Sequence, residues 1–128
     1  MSAALLDTLV QDRRWPRFET VEAVKAWTAR PGFHCLFIPG DPAKNLETAD
    51  VAVILPELVG TFRGAFDCAL VAGGIERATR ETYEVWPTPS LIFFRDGEKL
   101  GAIPRVREWQ DYIEKIALIL EGETLAAE

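Results

Sequence analysis

Trp86-Pro87-Thr88-Pro89-Ser90-Leu91-Ile92-Phe93-Phe94-Arg95-Asp96-Gly97 sets two prolines before an apolar run and an Asp-Gly pair behind it. Ser90 to Arg95 has the length and apolar density of a buried strand. Asp96-Gly97 supplies two residues that tolerate positive φ, as a tight hairpin requires, so Glu98 to Ile103 is expected to return antiparallel. Proline lacks the N–H that a central ladder needs, so Pro87 and Pro89 mark where the strand must begin.

Outward from this hairpin, Trp109, Tyr112, Ile113, Ile116, Ala117 and Leu120 recur at helical spacing, predicting a helix from about 107 to 120 and an acidic, frayed tail from about 121. On the other side, Phe66 to Val71 reads as a second buried strand ended by Gly73-Gly74. A short helix from Ile75 to Tyr83 follows, with Glu76 and Arg80 one turn apart. Phe33 to Ile38 is almost continuously apolar and reads as a central strand, stopped by Pro39-Gly40. Gly40 to Glu47 is turn chemistry that delivers the chain to Thr48, the expected N-cap of a helix carrying Val51, Ile54, Leu55, Leu58 and Phe62. Pro56 is expected to kink that helix. Thr20 caps a helix over about 20–30, and Leu5, Leu6, Leu9 and Val10 share one face of a short N-terminal helix. Trp15 to Phe18 is a break or a short edge strand. The order implies an α/β fold, a central mixed sheet flanked by helices on both faces, with residues 1–128 as a single domain.

The chain of 128 residues carries a net charge of −6 with 48% hydrophobic residues. That suits a soluble core-forming domain and argues against nucleic acid, whose phosphates demand a basic surface. A partner selected by charge is expected to be cationic. The apolar runs fall well short of the roughly 20 residues of a membrane span. Arg13-Arg14 is followed by Phe18-Glu19-Thr20-Val21-Glu22 where an export signal needs an apolar stretch, so a cytoplasmic location is expected. Cys35 and Cys68 lie in separate apolar segments and read as buried thiols in a reducing compartment. His34, the one histidine, reads as a packed neutral imidazole, and no metal site assembles around it. Gly73-Gly74 lacks the lysine and the third glycine of a phosphate loop, so no nucleotide cofactor is expected.

A βαβ unit, a helix, a hairpin opened by proline and a closing helix together resemble the thioredoxin fold. In that family the hairpin strand begins at a cis-proline, which Pro89 resembles, and the first long helix holds a proline, which Pro56 resembles. Matching Pro56 places the family's Cys-x-x-Cys on Thr48-Ala49-Asp50-Val51, where both thiols are absent. The buried acid of thioredoxins is also absent from Phe33 to Ile38. A hydroxyl and an isopropyl cannot support thiol–disulfide exchange.

The closer resemblance is to the cysteine-less hydrogenase expression proteins of the HyaE and HupG type. It rests on Pro39-Gly40-Asp41-Pro42, on Glu47 with Asp50 through Leu58, and on Pro89 through Gly97 with Gly101 and Trp109. The resemblance implies a chaperone without turnover in nickel–iron hydrogenase maturation, binding the twin-arginine signal peptide of the small subunit before export. It also implies that Thr88, before the proline, offers an unpaired N–H and C=O to an extended peptide. A ligand with a basic end and an apolar middle calls for carboxylates beside an apolar shelf. Asp41, Glu47, Asp50 and Glu57 supply the first and Trp86 the second, while Arg105 and Arg107 work against a cationic ligand. Two alternatives stay open: a hydrogenase-assembly adaptor that does not read the signal, and a thiol enzyme using Cys35 or Cys68.

Overall fold

The computed structural model describes residues 2–122; the acidic tail expected from about 121 lies almost wholly outside them. The elements are α1 (Ser2–Gln11), β1 (Arg17–Phe18), α2 (Val21–Thr28), β2 (Phe33–Ile38), α3 (Glu47–Thr61), β3 (Phe66–Val71), α4 (Glu76–Tyr83), β4 (Ser90–Arg95), β5 (Glu98–Pro104) and α5 (Trp109–Leu120). A 3-10 turn over Gly73–Ile75 leads into α4.

The five strands form one mixed sheet in the order β1-β3-β2-β4-β5. β1, β3 and β2 are parallel, whereas β4 runs antiparallel to both β2 and β5. Asp96 (φ 52°) and Gly97 (φ 89°) form the hairpin turn with the positive φ pair that their residue types permit. Alternation along the central strands then splits the core. Cys35, Phe37, Phe66, Leu70, Leu91 and Phe93 face α1, α3 and α5. Leu36, Ile38, Ala69, Val71, Ile92 and Phe94 face α2 and α4. Strands buried on both faces explain why their sequences read as continuous apolar runs.

Thr20 caps α2 as expected, its hydroxyl accepting from the Ala23 N–H at 3.1 Å. Thr48 does not cap α3. It lies inside the first turn, fully buried, and its hydroxyl donates to the Pro39 carbonyl at 2.7 Å. Asn45 does the capping, its Oδ1 accepting from the Glu47 N–H at 2.9 Å. Among the described residues no helix is long and apolar enough to cross a membrane.

Candidate functional site

The Thr88–Pro89 peptide bond is cis. Pro89 is buried and Thr88 half-buried, while Pro87 and Trp86 are exposed, Trp86 at 54%. All three carbonyls of this turn are engaged. Ser90 Oγ donates to the Pro87 carbonyl at 2.5 Å, Asn45 Nδ2 to that of Thr88 at 2.8 Å, and the Arg105 N–H to that of Pro89 at 2.7 Å. The expectation of an unpaired Thr88 carbonyl therefore gives way: Asn45 reaches it first. The Thr88 N–H has no partner among the described residues and is the one backbone donor left on a turn whose other two members are prolines.

Gly40 fixes how closely β2's exit approaches this turn. Its φ is +83°, and a Cβ there would sit 2.8 Å from Thr88 Oγ1 and 3.0 Å from Thr88 Cβ. Only glycine accepts both the dihedral and the approach. Asn45, Thr48, Gly40 and Thr88 thus close the position where the resemblance puts a dithiol. Val51, the other replaced position, is 1% exposed.

The carboxylates separate into distinct roles. Glu47 is held by Arg105, through Nε at 3.1 Å and through Nη2, and by the Val106 N–H at 2.9 Å. These bonds, the Arg105 side chain first, keep its carboxyl below the usual glutamate range. Glu47 and Arg105 cancel each other and clamp α3 to the segment after β5. Arg107 donates from Nε to the Pro104 carbonyl at 2.8 Å and faces Asp111. Asp41, Asp50 and Glu57 are exposed. Asp41 lies on the wall of a cavity of about 390 Å³ with Gly40 and Glu76. Burial pushes the Glu76 carboxyl up, opposed by a 3.2 Å bond from the Gly40 N–H and by Arg80.

Asp50 and Glu57 have exposed apolar neighbours on the same face of α3. Leu46 is 88% exposed and Val53 57% exposed. Positions 46, 50, 53 and 57 are spaced four, three and four residues apart and lie on one helical face. The outward face of α3 is therefore a stripe of leucine, aspartate, valine and glutamate. The sequence places Leu46 in the turn before the helix and Val53 off its apolar face, and the fold adds that both side chains stay uncovered. The Asn45–Thr88 bond joins the start of that stripe to the turn that carries Trp86.

Cys35 and Cys68 are directly paired across β2 and β3, free, and buried at 0% and 2% exposure. Burial first, then the adjoining Cys68 thiol, push the Cys35 thiol well above its ordinary range. His34 is also buried. Its Nδ1 lies 2.5 Å from Asp67 Oδ1 and 3.4 Å from Arg30 Nη2, and its Nε2 lies 2.8 Å from the Arg30 carbonyl.

Yeast mitochondrial thioredoxin 3 superposes with a TM-score of 0.67 at 11% identity, covering 80% of this chain and 92% of its own. Fasciola hepatica thioredoxin does so with a TM-score of 0.66 at 13% identity, covering 80% and 96%. At such identities the likeness establishes the thioredoxin-like fold alone. A Rhodopseudomonas palustris crystal structure assigned as hydrogenase expression/formation protein HupG has a TM-score of 0.54 at 31% identity, covering 84% of this chain and 96% of its own. HupG of Rhodobacter capsulatus is 53% identical over 93% of this chain and 86% of its own length. HupG of Rhizobium leguminosarum bv. viciae is 40% identical over 69% of this chain and 59% of its own length, so this chain spans little more than half of that relative. The family model described as hydrogenase-1 expression protein HyaE matches residues 5–112. The chain therefore belongs to the HyaE family of hydrogenase expression proteins and carries its thioredoxin-like fold.

Proposed function

We propose that this protein is a non-catalytic chaperone of nickel–iron hydrogenase maturation that holds the twin-arginine signal peptide of the small subunit in the cytoplasm before export. The observation that carries the reading is the face of α3, where exposed Leu46 and Val53 alternate with exposed Asp50 and Glu57. A segment with arginines at one end and apolar residues in its middle has complementary partners there, carboxylates for guanidinium and aliphatic surface for the apolar run. Trp86 extends the apolar surface and offers an indole face on which a guanidinium stacks. Asp41 adds charge near the same end, and Glu47, spent on Arg105, orders the helix start instead of meeting the ligand. The Thr88 N–H leaves room for a single hydrogen bond to an extended backbone. The absence of thiols at Thr48 and Val51, with Cys35 and Cys68 buried, supports holding over redox turnover.

The test is titration of the purified protein with the small subunit's signal peptide and with its twin-lysine version, at low and high salt. The native pair is expected to bind tighter, because lysine lacks the bidentate fork, and salt is expected to weaken both. Binding of neither peptide overturns the reading. Equal binding of the mature subunit without its signal favours the adaptor alternative.

A further inference from the structure

The other end of the sheet holds a groove that this function does not use. Leu70 and Ala72 donate their N–H groups to the Pro16 and Phe18 carbonyls, both at 2.8 Å, and β1 ends there after two residues. By the two-residue period of a strand, Phe66 and Cys68 turn their backbone groups to the same side. Pro16 has no N–H to continue the ladder, Arg14 turns the chain away at φ 60°, and no described residue ahead of β1 bonds to the backbone of Phe66 or Cys68. Half of β3's outer edge is thus an open strand edge. It faces a cavity of about 580 Å³ bounded by Arg14 and Trp15 on one side and by the ends of α2 and α3 on the other.

The walls of this groove differ on the two faces of the sheet. Val59, Gly64 and Phe66 make the α3 side apolar, whereas Trp27, Arg30 and Asp67 line the α2 side. Asp67 is already answered by Arg30 Nη2 at 2.7 Å and by His34. Arg14 is exposed and joins no ion pair among the described residues, and Arg13 and Arg63, both exposed, are chain neighbours of lining residues. In a chain of net charge −6 this edge is locally basic.

We propose that the groove binds an extended acidic segment of a partner protein, added as a strand to the edge of β3 in line with β1. The main chain of Phe66 and Cys68 supplies the ladder, and the period of two sends alternate side chains to opposite walls. Apolar residues meet Val59 and Phe66, and carboxylates meet Arg14 and Arg30. The site is separate from the signal-peptide face and does not depend on it.

The probe is the blocked peptide Val-Glu-Val-Glu-Val, titrated into the isotope-labelled full chain and followed by amide resonances. Saturable shifts centred on Phe66 to Cys68 are expected, with affinity about tenfold weaker for a Val-Lys-Val-Lys-Val peptide and for Arg14→Glu, and loss of binding when the glutamate amides, which face β3 in a strand parallel to it, are N-methylated. No saturable shift in this region at millimolar peptide, equal binding of the lysine peptide, or indifference to N-methylation overturns the proposal. Resonances of Leu46 to Val53 and of Trp86 report on the other face, so binding there is read separately and also counts against this site if it is the only response.

Discussion

At the end of the sheet that carries Pro89, each carbonyl of the Pro87-Thr88-Pro89 turn already accepts a hydrogen bond and one N–H is left over. At the opposite end, β1 stops after two residues and the first half of β3's outer edge has no backbone hydrogen-bond partner among the described residues. The first end commits its backbone acceptors to a packed support, and the surface beside it is made of side chains, Leu46, Asp50, Val53 and Glu57 on α3 and Trp86 on the turn. The second has kept its backbone open and placed arginines beside it. The contrast teaches that one sheet can spend its backbone groups on packing at one end and leave them open at the other.

The largest effect is expected where the two segments of the closed end approach. Gly40→Ala requires a positive φ of a residue with Cβ and drives that Cβ to within 3 Å of Thr88. A strained dihedral and overpacking together cost about 2–4 kcal/mol, lowering Tm by roughly 10 °C. Thermal unfolding by circular dichroism measures this. An unchanged Tm means that the turn is pliant and that the contrast between a rigid end and an open one is wrong.

The corresponding cut at the open end is Asp67→Ala. It removes the carboxylate partner of Arg30 and takes Asp67 Oδ1 away from the buried His34 Nδ1, a loss of about 1–3 kcal/mol. Hydrogen exchange is expected to accelerate at the start of β2 and β3 and to stay slow around Thr88. Equal acceleration at both ends removes the comparison's claim that they are separately held.

The elements that follow from local periodicity were legible. Asp96-Gly97 specifies a turn by its own dihedral needs, and strands buried on both faces advertise themselves as apolar runs. Threonine is a good cap type, which is why Thr48 reads as a cap, and nothing local says that its hydroxyl turns inward to Pro39. Asn45 carried a signal, an amide two residues before the first helical N–H, yet its second bond to Thr88 crosses 43 positions. Glu47 and Arg105 are 58 positions apart, so only the fold reveals that a candidate ligand carboxylate is already spent. Site residues fail to be legible where their role depends on which competitor reaches them first.

Two glutamates sharpen the closed end with opposite signs. Glu47 has a lowered folded-state pKa, so its contribution is present above the ordinary glutamate range and is lost as pH falls through the folded value. Glu76 has a raised one, so its contribution is present below the ordinary range and is lost as pH rises through the folded value. Glu47→Gln is therefore expected to lower Tm at pH 7 by about 2 °C and to lose the decline seen on acidification. Glu76→Gln is expected to raise Tm at pH 7 slightly and to leave it unchanged in acid. Shifts of the same sign in both variants contradict the assigned partners.

The smallest effect expected is the most pointed one. Thr48→Cys with Val51→Cys restores the spacing of a dithiol at a helix start, where the dipole favours a thiolate. Both positions are buried, at 0% and 1% exposure, Thr48 beside Gly40 and Val51 within the apolar core. Desolvation raises a thiol's pKa and denies a disulfide substrate access, so the geometry opposes what the spacing invites. The variant is expected to reduce insulin no faster than the wild-type protein and to react with a thiol reagent only on unfolding. Adding Asn45→Ala, which takes the side-chain bond off the Thr88 carbonyl, is expected to raise labelling measurably. Full reductase activity in the double variant alone means that the closed end is an open active site lacking only its sulfurs, and the division of labour between the two ends fails with it.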